Sequence, residues 1–372
     1  MTVIDYIFAL VLSFILAGFL TPAVIWFAKK IKVLDYPKKE RKIHKKPIPL
    51  LGGLAIFLAI NISIVIYYFF SSSLVYDNLV PKFLLGIIIG GFFVMIGGFL
   101  DDKFDLNPKY QILFPVAAIL AVIVSGVGID QMTNPFSGGL FHLDKYVTIL
   151  FWFKGLPYKF TLLADLFTLI WMLLMMYTTK LLDGLDGLVS GVSVVGGLFI
   201  FITALMNDTA QPDVAMLAMI IIGSFLAFLI FNFNPAKIFL GEGGSLYSGF
   251  MLGVLSIISG SKVAVTLIVM GIPVLDMLWT IIRRLMEGKN PLRTADRKHL
   301  HFRLLDAGLS VRQSVFILYI ISIIFGLAAL FLQKISLGLT ILGMMVILTF
   351  IIMSGYLYKI RKEKEKGALD IS

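Results

Sequence analysis

Long apolar runs alternate with short polar loops along the whole chain. A helix that crosses a bilayer needs about 20 mostly apolar residues. Eleven segments answer to that pattern, at roughly 4–27, 51–70, 83–100, 110–128, 161–179, 187–206, 214–231, 245–259, 263–282, 313–332 and 335–358. The eighth and ninth are separated only by Gly260, Ser261 and Lys262. The first has no basic stretch before it and no small-residue cleavage site, so it reads as a retained span rather than a signal peptide. Segment 129–160 mixes Gly, Pro and aromatics and predicts a surface hairpin or an interfacial element. There is no internal repeat, low-complexity stretch or soluble domain. The expected fold is all-α, a polytopic membrane protein of about eleven transmembrane helices. Residues 1–372 form one integral-membrane unit, with 359–372 as a charged tail.

Composition agrees and removes other classes. Of 372 residues, 59% are hydrophobic and 15% charged, against roughly 45–50% and about 25% in a soluble domain. A water-soluble globule and a disordered chain are both excluded. The absence of cysteine rules out a disulfide scaffold, thiolate metal sites and a cysteine nucleophile. The net charge of +10 has to be read by location. With eleven spans, 26 of the 32 basic residues fall on one side of the membrane. Basic loops mark the cytoplasm, which puts the N-terminus outside and the C-terminus inside. Contact with anionic lipid is a secondary use for these tracts, and nucleic acid is not expected as a partner.

Fourteen of the 22 acidic residues lie on the same predicted side. Carboxylates at span ends need a cation or a function. Asp101, Asp102 and Asp105 close the third span, with Asp101 and Asp105 on one helical face. Three such groups suit Mg²⁺ bridged to phosphate, or else a helix-end cluster balanced by Lys103 and Lys109. Lys180-Leu-Leu-Asp183-Gly184-Leu-Asp186-Gly187 carries two carboxylates, each followed by glycine, which favours a ligand-holding turn over an ordinary one. Asn232-Phe-Asn-Pro-Ala-Lys-Ile-Phe239-Leu-Gly-Glu242-Gly-Gly-Ser245 opens the eighth span. Its N–H groups can receive phosphate, Phe239 can stack on a base, and Ser245 can equally serve as a helix cap. Arg297-Lys-His299-Leu-His301-Phe302-Arg303 reads as an anion grip or a basic surface loop. Two histidines at i, i+2 would not share a helical face, which argues against a helical zinc site. Asp276 lies within a span and is a functional candidate by default, unless it pairs with Arg283 or Arg284. All four loops fall on one predicted side, where a lipid and a soluble nucleotide can meet for phosphoryl transfer. A transporter would need charges deep in several spans, and Asp276 is nearly alone.

These motifs, together with Arg41-Lys-Ile-His-Lys45-Lys46-Pro-Ile-Pro-Leu-Leu-Gly-Gly53, resemble the polyprenyl-phosphate N-acetylhexosamine-1-phosphate transferases. That group includes enzymes that start enterobacterial common antigen, O-antigen and wall teichoic acid. Phospho-MurNAc-pentapeptide translocase is a more distant relative. The resemblance runs over nearly the whole chain. It implies ten or eleven membrane helices, a cytoplasmic-face site, Mg²⁺ or Mn²⁺, and transfer of a sugar-1-phosphate from a UDP-N-acetylhexosamine to undecaprenyl phosphate with release of UMP. It implies a location in the cytoplasmic membrane, and relatives are often homodimers.

By the same resemblance, Asp101 and Asp102 handle the lipid phosphate or assist the metal. Asp183 is linked to the metal, with residue 242 as a further ligand. Asp186 and Gly184 belong to the uracil pocket, and Asn232, Phe239 and Ser245 to the nucleotide site. His299, His301 and Arg303 grip the sugar nucleotide, and Lys45 or Lys46 contacts the nucleotide. The chain departs from the family pattern in several places. Tyr177 and Lys180 stand where Asn is usual, Glu242 where Asp is usual, Phe302 in place of a third His, and Leu50 where Arg is common. Lys180 precedes Asp183 by three residues and can reach it on a helix, and Glu242 is long enough to meet the same ammonium. Two readings stay open. In one, Lys180 replaces the divalent cation, giving a metal-weakened or inactive paralogue. In the other, Glu242 still binds Mg²⁺ and Lys180 contacts the pyrophosphate.

Overall fold

The computed structural model describes every residue except 38–45, 72–73, 76–78, 134–139, 145–146, 154–155, 207–209, 261–262, 289–297, 333–337 and 370–372. In chain order the elements are α1 (Val3–Lys30), β1 (Leu34–Asp35), β2 (Ile48–Pro49), α2 (Gly52–Phe70), α3 (Pro81–Phe104), α4 (Pro108–Gln111), α5 (Leu113–Val124), β3 (Gln131–Thr133), β4 (Leu140–His142), β5 (Val147–Phe153), β6 (Leu156–Thr161), α6 (Leu162–Leu182), α7 (Leu188–Met206), α8 (Pro212–Asn232), α9 (Gly241–Ile258), α10 (Val263–Val269), α11 (Gly271–Met286), α12 (Leu300–Asp306), α13 (Val311–Leu332) and α14 (Gly338–Leu369). Among the described residues, seven helices are long and apolar enough to cross a membrane, or eight if a bent pair counts as one span. The protein is a multi-pass membrane protein.

Each predicted apolar segment falls on helix, but three expectations change. The fold is not purely α: β1–β2, β3–β4 and β5–β6 form three antiparallel two-stranded sheets, the latter two within segment 129–160. Segment 263–282 is not one straight span. It breaks at Met270 and bends by 76° between α10 and α11. Pro273 lies in the first turn of α11, where its missing N–H removes no helical bond. Segment 110–128 is interrupted at Ile112 between α4 and α5, with Pro115 in the first turn of α5. Beyond 358 the backbone of α14 stays helical to Leu369.

The core is built around α9. All its residues are buried except Glu242 and Ile258, and it packs against α2, α3, α6 and α7. Its polar, glycine-rich first turns make it the least apolar of the long central helices. They also bring backbone, rather than side chain, to the contact with its neighbours. α8 is similarly enclosed by α1, α2 and α7, whereas α1 buries few positions.

Candidate active site

Four sequence-distant loops meet where α9 begins. A methyl group on Gly53 of α2 would lie 2.2 Å from the Cα of Gly244, and one on Gly98 of α3 would lie 2.1 Å from the Cα of Gly243. The glycines of 241–244 therefore serve close helix packing. Their expected role as a phosphate cradle is corrected by Asp102, whose two oxygens accept from the Glu242 N–H at 3.1 and 3.2 Å. A carboxylate of the chain itself already meets the positive end of α9. Gly241, at φ +73°, has Asp102 Oδ2 at 2.4 Å from where a Cβ would be. Ser245 is not the cap: it sits inside the first turn, buried, and its hydroxyl donates to the Glu242 carbonyl at 3.1 Å. Asp105 leaves the acidic group as well. It is exposed and ends α3 in the left-handed region at φ +52°.

Lys180, in the last turn of α6, reaches across to α3 and α9. Its Nζ lies 2.8 Å from Glu242 Oε2 and 4.0 Å from Asp101 Oδ2, and donates to Gln111 Oε1 at 3.2 Å. The amide nitrogen of Gln111 in turn donates to Asp101 Oδ1 at 2.9 Å, and the Tyr177 ring lies 6.0 Å from the ammonium. The expected contact from Lys180 to Asp183 is not made. α6 ends at Leu182, and Asp183 turns away at its C-cap.

Asp183 has no hydrogen-bond or ion-pair partner among the described residues and remains open to solvent. Crowding by protein at the crevice floor, together with the Glu242 and Asp186 charges, pushes its carboxyl up to about 8. Asp186 is held: its Oδ2 accepts from Asn234 Nδ2 at 2.9 Å and from the Ala236 N–H at 3.0 Å. Asn232, expected at the nucleotide site, is buried and ties the Asp-Gly turn to the loop before α9. Its Oδ1 accepts from the Gly187 N–H and Ser190 Oγ, and its Nδ2 donates to the Ile238 carbonyl. Tyr319 of α13 donates to the Gly187 carbonyl. Phe239 is half-buried and its backbone stitches two loops, donating to the Pro49 carbonyl and accepting from the Gly52 N–H, both at 2.9 Å.

His299 and His301 form a clasp over this turn. His299 lies outside α12 in extended backbone (φ −65°, ψ 152°). That is why two rings at i, i+2 come face to face, 5.5 Å apart and within 3° of parallel, contrary to the expectation for a continuous helix. Asp276 does not pair with Arg283 or Arg284 in this arrangement. Its Oδ2 accepts from His299 Nδ1 at 3.0 Å, and its Oδ1 accepts from the Leu300 N–H at 2.9 Å. One carboxylate thus sets both the ring and the start of α12. His301 is 1% exposed, and neither ring nitrogen has a hydrogen-bond partner among the described residues. Its Nε2 lies 2.2 Å from where a Cβ on Gly184 would be, so only glycine fits at 184. Burial, reinforced by His299 and opposed by Asp276, pushes His301 down to about 3. Phe302 leans on the His301 ring at 4.4 Å, and Arg303 Nε donates to the Lys298 carbonyl at 2.8 Å.

A model of glycosyl transferase family 4 matches residues 84–260. A probable undecaprenyl-phosphate N-acetylglucosaminyl 1-phosphate transferase of Bacillus subtilis is 31% identical over 353 residues, covering 93% of this chain and 90% of the relative. An undecaprenyl-phosphate alpha-N-acetylglucosaminyl 1-phosphate transferase of Thermotoga maritima is 30% identical, covering 77% and 78%. A decaprenyl-phosphate N-acetylglucosaminephosphotransferase of Mycolicibacterium smegmatis is 28% identical, covering 82% and 77%. The chain belongs to glycosyl transferase family 4.

The transferase is a phosphoglycosyltransferase, and its expected site residues converge with two qualifications. Lys45 lies outside the described residues, and Lys46 is exposed beside β2 on the loop stitched to Phe239. Lys180 joins Asp101 to Glu242, Asp102 meets the Glu242 N–H, and His301 with its stacked partner His299 closes over Gly184 in the turn that carries Asp183 and Asp186. Gln111, Asn234 and Tyr319 were not foreseen. They are ordinary polar residues in sequence, and only the fold brings them to the charged ones. The divalent ion expected between Asp183 and Glu242 does not fit the residues present. Glu242 is paired with Lys180, and among the described residues no three His, Asp or Glu side chains are grouped as a metal site needs. Beside Asp102 an apolar cleft of about 340 Å³ opens between α2, α3 and α9, lined by Leu54, Phe57, Phe92, Met95 and Phe99.

Proposed function

We propose that this transferase moves N-acetylglucosamine-1-phosphate from UDP-N-acetylglucosamine to undecaprenyl phosphate and releases UMP. The observation that carries the reading is His301, buried over Gly184 in the turn that carries Asp183, with no hydrogen-bond partner for either ring nitrogen among the described residues. Such a pair of orphaned polar atoms is expensive unless a ligand completes it. The printed names of the B. subtilis and T. maritima relatives supply the lipid and the sugar. The apolar cleft beside Asp102 suits isoprene units rather than a nucleotide.

In this reading an oxygen of the lipid phosphate attacks the β-phosphorus of the sugar nucleotide. The bond from that phosphorus to the oxygen bridging the two phosphates breaks, and the electrons leave on UMP. A phosphate monoester is already mostly ionised at pH 7 (second pKa about 6), so the site's task is positioning and charge stabilisation rather than proton removal. Neutral His301 and the Asp276-oriented His299 would donate or accept at the donor's phosphates and sugar. Arg303 and Lys46 would add charge at the rim. Asp186 and Gly184 would bound the uracil. The site would face the cytoplasm, with eleven crossings, the N-terminus outside and the C-terminus inside.

The test is incubation of the purified transferase with undecaprenyl phosphate and radiolabelled UDP-N-acetylglucosamine. A lipid-linked labelled product is expected. Binding of both substrates without product would mark an inactive paralogue and end the proposal, whereas product only with another UDP-sugar would change the sugar and keep the reaction.

A further inference from the structure

We infer that the Lys180 ammonium takes the place of a resident divalent cation in this transferase, neutralising Glu242 and Asp101 so that no metal ion is held by Glu242 before substrate arrives. The inference rests on the transferase reading for its meaning in catalysis, but its geometry stands alone. The ammonium is built in from three sides. Glu242 Oε2 lies at 2.8 Å, Gln111 Oε1 accepts at 3.2 Å, and Asp101 Oδ2 follows at 4.0 Å. Gln111 locks the arrangement, because its amide oxygen faces Lys180 while its amide nitrogen donates to Asp101. The Tyr177 ring lies beside the ammonium, with its centroid 6.0 Å away.

Length explains the residue choice. Glutamate at 242 is one methylene longer than aspartate, and lysine is a compact point charge on a flexible four-carbon stem. The two together close a gap between α6 and α9 that shorter side chains would leave open. Mg²⁺ demands near-octahedral oxygen contacts at about 2.0–2.1 Å, and an ion at such a distance from Glu242 would lie against the ammonium. Two cations on one carboxylate repel, and the one covalently tethered and anchored by Gln111 stays. The donor's diphosphate would then meet Lys180 directly as a charge-assisted hydrogen-bond donor.

The experiment is a Mn²⁺ titration of the detergent-purified full chain, read by loss of the free-ion EPR signal, on wild type and Lys180→Met, with Lys180→Gln as a second variant. Wild type is expected to show no saturable Mn²⁺ binding below millimolar concentration. Either folded variant should bind at least about tenfold more tightly, since Glu242 and Asp101 lose their cation. Tight binding by wild type overturns the inference, as does a folded variant that binds no better. The wild-type titration decides even if neither variant folds. In parallel, turnover is measured in EDTA and in Mg²⁺. Turnover retained in EDTA supports the lysine. Turnover abolished by EDTA and restored by Mg²⁺, together with saturable Mn²⁺ binding by the wild type without substrate, overturns it. No turnover in either buffer counts against the transferase reading, while the Mn²⁺ titration still judges Lys180.

Discussion

The crevice around Lys180 and the histidine clasp stand at opposite extremes of electrostatic completeness. At Lys180 nearly every charge is answered within the chain: ammonium with carboxylate, amide with carboxylate, and the start of α9 with Asp102. At His301 two ring nitrogens are buried and answered by nothing. His301 is the more deeply enclosed, at 1% exposure against 18% for the Lys180 side chain and 36% for that of Glu242, so the unanswered atoms lie in the deeper region. A closed network holds helices in register. An open pair of nitrogens on a ring held by its neighbours is preorganised for a ligand. Asp183 lies between them, unpaired and raised to about 8, where the closed half ends and the open half begins.

Gly184→Ala attacks the join and should have the largest effect. Its methyl would fall 2.2 Å from His301 Nε2, displacing the ring, and a misplacement of about 1 Å can cost about 10²-fold or more in turnover. Turnover near wild type would show that the clasp does not depend on this contact. His301→Ala, judged by kcat in the labelled-lipid assay, should lose about 10²–10³-fold while thermal unfolding in detergent stays close to wild type. A large drop in stability with little change in kcat would make His301 a core residue. Asp276→Asn frees the His299 ring and the first N–H of α12, and should cost about 10–100-fold, with part of the loss rescued at high donor concentration.

The pH dependence of stability sharpens the contrast. His301 falls from an ordinary 6.5 to about 3 on folding, so the unfolded chain binds the proton more readily. Its contribution to stability is complete above about pH 6.5 and is lost as the pH drops toward 3. Unfolding midpoints measured across that window should decline for wild type and decline less steeply for His301→Gln. The smallest effect is expected from Asn234→Ala, which removes one bond to Asp186 and should cost about 1 kcal/mol, read as a modest rise in KM for the nucleotide sugar.

Much of this was legible from residue order alone. Apolar runs of about 20 residues can only be membrane helices, since backbone groups in lipid have to bond within their own segment. The Asp-Gly repeats and the His loop were recognisable because paired carboxylates and clustered cations at span ends need a purpose. What misled was local meaning. Gly241–Gly244 looked like an anion nest, but the Glu242 N–H serves Asp102, and the missing side chains of Gly243 and Gly244 serve two neighbouring helices. Lys180 was expected to meet both its sequence neighbour Asp183 and the distant Glu242; α6 ends before Asp183, and only the contact with Glu242 is made.

The division between sequence and tertiary structure follows range. Hydropathy and the identity of chemistry-bearing residues act over a few positions, and the sequence by itself determined them. Which charge answers which depends on distances of a few ångströms between residues as far apart as Gln111 and Lys180, or Asp102 and Glu242. Coulomb and hydrogen-bond energies fall off over that same scale, so only the packing of α3, α6, α9 and α12 decided which groups were spent on holding the fold and which were left for a substrate.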